Sequence, residues 1–518
     1  MMQRSGRRRQ NKSQKRGGTS ATVSLKQLPW MQVENSYKPF EILREGQIDA
    51  ICDTAYRILE EVGMDILHEE AKEIFRKAGA KVESGSDRVR IDRDLIKEAM
   101  SHAPSSLTLH ARNPLHNLDL SSGKISFGSV ASAPNVSDIE RGRRPGNQED
   151  YRNLLKLCQS LNTVHFIAGY PVEPVDIPPR TRHLDCVADM AVLTDKVYHA
   201  YSLGKERITD ALEITRIAHG CESWSAFKEK TRLFTIINTS SPLRLDGVMI
   251  DGAMEMARHN QLCIITPFTL SGAMAPITVA GALAQQHAEA LAGMTLLQLV
   301  SPGCPVAYGG FTSNVDMKSG SPAFGTPENA QAATIGGQLA RRIGVPYRSS
   351  NANASNCVDA QAIYESQMSI WSAVMGQANM IMHGAGWLEG GLCASFEKLI
   401  IDAEMLQMMT KFLQPPEVSE GSLGLEAIKD VGPGGHFFGT AHTLERYETA
   451  FYSPMVSDWS NFESWEEKGS KSATERAHLI YKNLLNEYQA PELDIARKEE
   501  IESFVARRTS EGGATGDF

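Results

Sequence analysis

The sequence predicts an α/β protein: a TIM-type (β/α)8 barrel with a helical N-terminal cap and a C-terminal extension. Three observations carry this. Between residues 124 and 412, short apolar or β-branched runs alternate with longer amphipathic segments. The alternation repeats eight times, which suits a barrel of about 250 residues or somewhat more. No Gly-rich phosphate turn follows an early run, as it normally would in a doubly wound open sheet, the structural alternative.

The elements follow in chain order. Residues 1–33 read as a disordered basic tail. Eight Lys and Arg residues precede the first acid, Glu34, and the stretch is Gln-, Ser- and Gly-rich without an apolar run. Without such a run, neither a secretory nor a twin-arginine signal fits. Docking to an acidic partner or RNA, or an organellar transit role, are the other readings of this tail. Residues 34–123 read as a helical cap: Ala55 to Val62 and Ala71 to Lys77 show three/four spacing, and Asp92 suits an N-cap.

The barrel begins with a strand at Lys124–Val130 and a helix near Glu149–Leu161, capped by Asn147. Next come Val164–Tyr170 with a helix near Thr181–Leu193, and Val197–Leu203 with Ile208–His219. Leu233–Asn238 precedes Asp246–Arg258, and Leu262–Pro267 precedes Ala280–Leu299. The last three pairs are Pro305–Tyr308 with Pro327–Ile343, Val345–Ser350 with Asp359–Met375, and Met380–His383 with Glu397–Met409. Residues 413–518 open on Gln414-Pro415-Pro416 and read as an extension packed on the barrel.

Composition narrows the function. With 42% hydrophobic and 22% charged residues, the chain matches a globular protein. Its net charge of −9 argues against a nucleic-acid binder. No apolar stretch is long enough for a membrane span. The eight cysteines are scattered, mostly in apolar segments, without paired metal-ligand spacing. They suit a reducing compartment, and a cytoplasmic protein without a metal of its own is expected.

Barrel enzymes work from the loops after the strands. Here those loops carry Tyr170, Tyr201, Phe268, Phe311, Asn351, Asn353, His383 and Trp387, with Tyr308 at a strand end. Paired carboxylates, a strand-end lysine and a hydrolase Ser/His/Asp elbow are not evident. The set suits a small cationic or neutral molecule held between aromatic faces, each worth about 0.5–2 kcal/mol to an onium group. Every member also has a plain structural reading: the aromatics as packing, His383 as a hydrogen-bonded core residue, and Ser349–Asn353 as loop solvation.

Several stretches occur together in one order. They are Tyr308-Gly309-Gly310, Asp316-Met317-Lys318-Ser319-Gly320, Gly325-Thr326-Pro327-Glu328 and Gln338-Leu339-Ala340-Arg341. Asp359-Ala360-Gln361-Ala362, Glu365-Ser366, Ser395-Phe396-Glu397-Lys398-Leu399 and Gly432-Pro433-Gly434-Gly435-His436-Phe437 complete the set. As a set they resemble the trimethylamine methyltransferase family, from about residue 40 to the end of the chain. The resemblance implies a TIM barrel that moves a methyl group from an amine to the cobalt of a separate corrinoid protein. Trimethylamine-specific members carry pyrrolysine in the loop corresponding to Asn351–Asn353; ordinary residues stand there in this chain. Members without pyrrolysine look like quaternary-amine demethylases, with glycine betaine the best-known substrate.

On this reading Co(I) is the nucleophile and the amine departs neutral, so no catalytic residue of the chain is assigned. Phe268, Tyr308, Phe311, Asn351, Asn353, Gln361, His383 and Trp387 are expected to bind substrate. No cofactor is expected on the chain itself; the corrinoid (cobalamin) belongs to a partner protein. The expected partners are that corrinoid protein and a small quaternary amine, in a homo-oligomer, with no nucleic acid and no membrane. The alternatives are a trimethylamine methyltransferase and a non-catalytic betaine-binding protein. A barrel lyase is weaker, because the barrel top lacks the lysine or metal cluster that such chemistry uses.

Overall fold

In the structure, a computed structural model that describes residues 25–514, eight parallel strands close on themselves. They are β1 (Lys124–Ser129), β2 (Phe166–Ile167), β3 (Val197–His199), β4 (Leu233–Thr239), β5 (Leu262–Pro267), β6 (Val306–Gly309), β7 (Tyr347–Ser350) and β8 (Met380–Ala385). Neighbours in this order pair in parallel, and β8 pairs back onto β1 through Met380–Ser126 and Ile381–Phe127. The intervening helices are α1 (Gln148–Ser160), α2 (Pro179–Leu193), α3 (Lys205–Ala218), α4 (Gly247–Arg258), α5 (Val279–Val300), α6 (Pro327–Ile343), α7 (Ala360–Met375) and α8 (Phe396–Phe412). The eightfold alternation is therefore a closed barrel. The strands read as nearly continuous apolar runs because helices cover one face and the barrel interior the other. Asn147 caps α1, its side chain accepting from the Asp150 N–H at 2.8 Å.

Strand parity decides which side chains enter the lumen. Phe166 and Ala168, Val197, Phe234, Leu262 and Ile264, Ala307, and Met380 and Met382 form one interior cluster. Their neighbours Ile167, Tyr198, Cys263, Tyr308, Tyr347 and Ile381 face the helices instead. The N-terminal end of the lumen is closed by a short antiparallel pair, Thr108–Leu109 with Leu118–Asp119, whose Leu109 and Leu118 join the interior cluster. Any deep cavity must then open at the C-terminal end.

Three expectations change here. Residues 25–33, assigned to the disordered tail, lie against the barrel. Val33 pairs with Ile125, the Leu28 N–H donates to Gln407 Oε1 at 2.8 Å, and Trp30 packs on the interior cluster. The apolar residues Leu25, Leu28, Trp30 and Val33 supply the anchoring surface that the basic composition masked. Residues 1–24 fall outside the described residues. The cap at 34–123 holds helices at Glu45–Arg57, Glu69–Lys77 and Arg93–Met100 but also strands at Met64–Ile66, Lys81–Val82 and Arg88–Arg90. These strands are too short for a period of two to show, and Met64–Ile66 is completed by Arg244–Leu245 from the β4–α4 loop. The extension packs its helix Ala473–Glu487 on α8, with Phe396 and Tyr481 stacked at 5.0 Å. Its segment 415–451, expected to pack on the barrel too, stands almost wholly exposed. Among the described residues no helix is long and apolar enough to cross a membrane.

A four-stranded sheet roofs the C-terminal end. It joins Asn135–Asp138 and Gly142–Pro145 of the β1–α1 loop to Trp387–Leu388 and Cys393–Ser395 of the β8–α8 loop. Beneath it Lys398 and Asp402, both fully buried one turn apart on α8, form an ion pair. Lys398 Nζ also donates to Ser366 Oγ at 2.9 Å, and Asp402 Oδ2 accepts the Gly386 N–H at 2.8 Å. Removing one partner strands a buried charge. Asp402→Ala should therefore cost about 3–5 kcal/mol in denaturant unfolding, whereas Lys398→Met combined with Asp402→Leu should recover most of that loss.

Candidate functional site

The C-terminal mouth holds a cavity of about 350 Å³. Its lower wall consists of lumen-facing strand residues: Ala168, His199, Ile236, Asn238, Thr266, Arg348 and Met382. Its upper wall consists chiefly of Tyr201, Phe268 and Phe311 from loops, His383 near the end of β8, and Trp387 of the roof sheet, under Gly390–Leu392. Gly391 closes against the face of Trp387; a side-chain carbon there would sit 2.7 Å from the ring, and its φ of +103° suits glycine.

Aromatic rings line one side. Phe268 and Phe311 stack at 5.3 Å, Phe311 lies 6.3 Å from Trp387, and Trp387 lies 4.0 Å from His383. The His383 backbone takes a φ of +56°, uncommon for a residue with a side chain, within a register shift between Ile381 and Ala385. A bulge of this kind re-aims one side chain at a strand end, and here it turns the imidazole into the cavity.

Polar atoms converge on the other side. Arg348 is 3% exposed, and no carboxylate lines the cavity or pairs with it among the described residues. Its guanidinium lies 5.6 Å from the Phe311 ring centre, its Nη1 reaches the Gly310 carbonyl at a long 3.4 Å, and its Nε has no partner. Burial pulls its pKa down to about 9. His199 Nε2 accepts the Ile236 N–H at 3.0 Å, so the ring proton resides on Nδ1, which is buried and unpartnered. Burial first, and the nearby Arg348 charge second, hold the His199 pKa down at about 3. The same two causes, with His199 added, hold His383 neutral, and its Nδ1 is also unpartnered. Thr266 Oγ1 is a fourth orphan in this wall. Buried polar atoms are nearly always paired, so four unpaired ones gathered on one cavity make it the candidate place for a polar ligand.

Of the residues expected from the sequence, Phe268, Phe311, His383 and Trp387 meet in this cavity. Tyr308 does not: it is fully buried facing α5, where Gln286 Nε2 donates to its hydroxyl at 2.9 Å. Its strand parity is that of Tyr347, one residue out of phase with the lumen. Asn351 and Asn353 are fully buried behind the wall. Asn351 Nδ2 donates to the Gly384 carbonyl at 3.0 Å, and Asn353 Nδ2 to the Trp387 carbonyl at 2.7 Å. The Trp387 Nε1–H returns to the Asn353 carbonyl at 3.2 Å, so this loop braces Trp387 rather than lining the cavity. Gln361 is exposed at the start of α7, bonded to Glu365. Arg348 and His199 were not among the expected residues. The alternation Tyr347-Arg348-Ser349 and Tyr198-His199-Ala200 was the available signal, since the apolar member of each run marks the helix-facing side.

The profile of the family "Trimethylamine methyltransferase (MTTB)" matches residues 4–513. A glycine betaine methyltransferase of Desulfitobacterium hafniense (strain Y51) is 36% identical over 475 residues, covering 92% of this chain and 98% of the relative. Trimethylamine methyltransferase MttB of D. hafniense (strain DSM 10664 / DCB-2) is 28% identical, covering 90% of this chain and 94% of the relative. Among solved structures, the Methanosarcina barkeri monomethylamine methyltransferase MtmB is 10% identical with a TM-score of 0.46, covering 88% of this chain and 98% of that chain.

The neutral His199 has a consequence for acid stability. Its pKa is about 3 in the fold and near 6.5 in the unfolded chain, so protonation favours unfolding. Its contribution is complete above about pH 6.5 and is lost as pH falls toward 3, by up to about 1.4 kcal/mol per pH unit. Histidine NMR at about pH 5 should show His199 as the neutral Nδ1–H tautomer, and unfolding free energy should decline through this window.

Proposed function

The chain belongs to the trimethylamine methyltransferase family, and on that premise we propose that it demethylates a quaternary amine bearing a carboxylate, a glycine betaine-like zwitterion, with a corrinoid protein as acceptor. The observation that carries this reading is Arg348. A buried guanidinium with no protein anion is costly and calls for one from the ligand. A betaine supplies a carboxylate for it and a trimethylammonium group for the aromatic wall. Trimethylamine supplies neither when neutral, and when protonated it adds a second positive charge to a dry cavity. The 36% identical relative carries a glycine betaine name, in agreement with this.

Each residue then has a physical task. Arg348 and the Nδ1–H of His199 bind the carboxylate with charge-assisted and neutral hydrogen bonds. Phe268, Phe311 and Trp387 hold the ammonium head, whose charge is spread over its methyl groups, against their ring faces. Carboxylate and rings together fix the molecule's orientation, so one N-methyl is presented toward the mouth, where the partner arrives. The corrinoid supplies a Co(I) nucleophile as methyl acceptor. The C–N bonding pair stays on nitrogen, which leaves as a neutral tertiary amine and requires no proton. That fits a cavity lined by no carboxylate, thiol or lysine among the described residues. The chain's contribution is positioning and the exclusion of water.

Mixing the protein with a reduced corrinoid protein and glycine betaine tests the proposal: dimethylglycine and methylated corrinoid should form together, and trimethylamine should be a poor donor. Preference for trimethylamine, or binding without turnover by any competent corrinoid protein, would overturn it. In calorimetry, Arg348→Met should weaken glycine betaine binding by about 2–5 kcal/mol and leave choline, which has no carboxylate, nearly unchanged. Tert-butylacetate, with carbon in place of nitrogen, should bind the parent about 1–3 kcal/mol more weakly than glycine betaine.

A further inference from the structure

We propose that a second cavity, on the far side of Tyr201 from the first, binds a small amino-acid zwitterion whose nitrogen carries a proton. It measures about 330 Å³, within the roughly 300–1,000 Å³ of small-molecule sites, and lies between the N-terminal halves of α2 and α3. Ser132, Tyr201 and Leu203 line both cavities. The Tyr201 hydroxyl is fixed in this shared wall: it lies 2.6 Å from Ser132 Oγ and accepts the Tyr170 N–H at 3.1 Å.

The second cavity differs from the first in carrying charges of both signs. Glu173 of the β2–α2 loop lines it together with Arg182 of α2 and Arg207 of α3. Arg182 donates from Nε and Nη2 to the Ile177 carbonyl at 3.2 and 3.0 Å, and its Nη1 reaches Glu173 Oε2 only at 3.4 Å. Glu173 Oε1 accepts no hydrogen bond among the described residues. Burial raises the Glu173 pKa against the opposing pull of Arg182 and Arg207, so a cationic donor at Oε1 would favour the ionised carboxylate. His183 is 5% exposed; its Nε2 bonds Asp210 Oδ2 at 2.9 Å, and its Nδ1 is buried without a partner. The Tyr170 hydroxyl, on the same wall, also makes no hydrogen bond among the described residues. Unpaired polar atoms beside a carboxylate and two guanidiniums call for a polar ligand with both charges.

A protonated amino acid meets these groups in pairs. Its N–H donates to Glu173, and its carboxylate accepts from Arg182, Arg207 and the Tyr170 hydroxyl. A quaternary amine has no N–H to donate, so its methyl groups would face Glu173 without a hydrogen bond. The role of the site rests on the function proposed above. There the amine leaves the first cavity neutral, and in water it takes up a proton, since an aliphatic amine is protonated at pH 7 as lysine is. That one proton turns a ligand suited to the first cavity into one suited to the second, which makes the second cavity a site for the demethylated product.

Calorimetry on the full chain without a corrinoid protein separates the two sites, because no methyl group is then transferred. With glycine betaine saturating, dimethylglycine should still bind in a one-to-one ratio. Glu173→Gln should weaken that binding roughly ten- to a hundredfold and leave the affinity for glycine betaine unchanged, which also reports an intact fold. Tyr170→Phe removes only an unbonded hydroxyl, so it tests the site without threatening the fold, and it should weaken dimethylglycine severalfold. Complete displacement of dimethylglycine by glycine betaine, or variants that bind dimethylglycine as the parent does, would overturn the proposal. Failure here leaves glycine betaine binding and its demethylation in place, whereas failure of the proposed function leaves the Glu173-dependent site in place.

Discussion

A guanidinium enclosed by a barrel mouth, with rings beside it and no carboxylate in reach among the described residues, constrains everything around it. Arg348 is in the lumen because β7 presents alternate residues inward, and it is buried beneath the roof formed by the β1–α1 and β8–α8 loops. Its positive field helps to keep His199 and His383 neutral, which makes their rings hydrogen-bonding groups rather than competing cations. The cavity therefore has one positive pole and one aromatic wall. On the proposed function, that complements a small zwitterion whose cation is bulky and poorly hydrated.

The supporting structure serves this arrangement. The Lys398–Asp402 pair holds Gly386 from below, Asn353 holds Trp387 from behind, and the register shift in β8 turns His383 inward. Each device fixes a backbone position next to the cavity at some cost in burial or strain, and none contributes a reacting group. On the proposed function, the chain has only to hold a methyl group in line with an external acceptor, a task that positioning alone can perform. The rigidity of the mouth then takes the place of the acids, bases and metals that most barrel enzymes carry.

The barrel was legible in the sequence because its signal is collective: eight apolar runs and eight amphipathic segments, each ambiguous alone, leave few topologies when taken in order. The cavity was only partly legible. Phe268, Phe311 and Trp387 come after barrel strands and His383 near the end of one, where barrel sites are sought, and the four line one cavity. Tyr308 lies within a strand, and one residue of parity sends it to the helix layer. Arg348 and His199 lie within strands too, flanked by tyrosines that look like better candidates but face outward. Asn351 and Asn353, expected to bind substrate, stand behind the cavity wall, where hydrogen bonds to the Gly384 and Trp387 carbonyls occupy their donors. Reading the short strands of the cap, or the anchoring of residues 25–33, requires knowing which distant segments supply the pairing partners.

The most direct test of the account is a crystal structure of the protein with glycine betaine bound. The account predicts the carboxylate on Arg348 and the His199 Nδ1–H, with the trimethylammonium against Phe311 and Trp387 and one methyl facing the mouth. A carboxylate pointing to solvent, with Arg348 unpaired or met by a protein carboxylate, would contradict it.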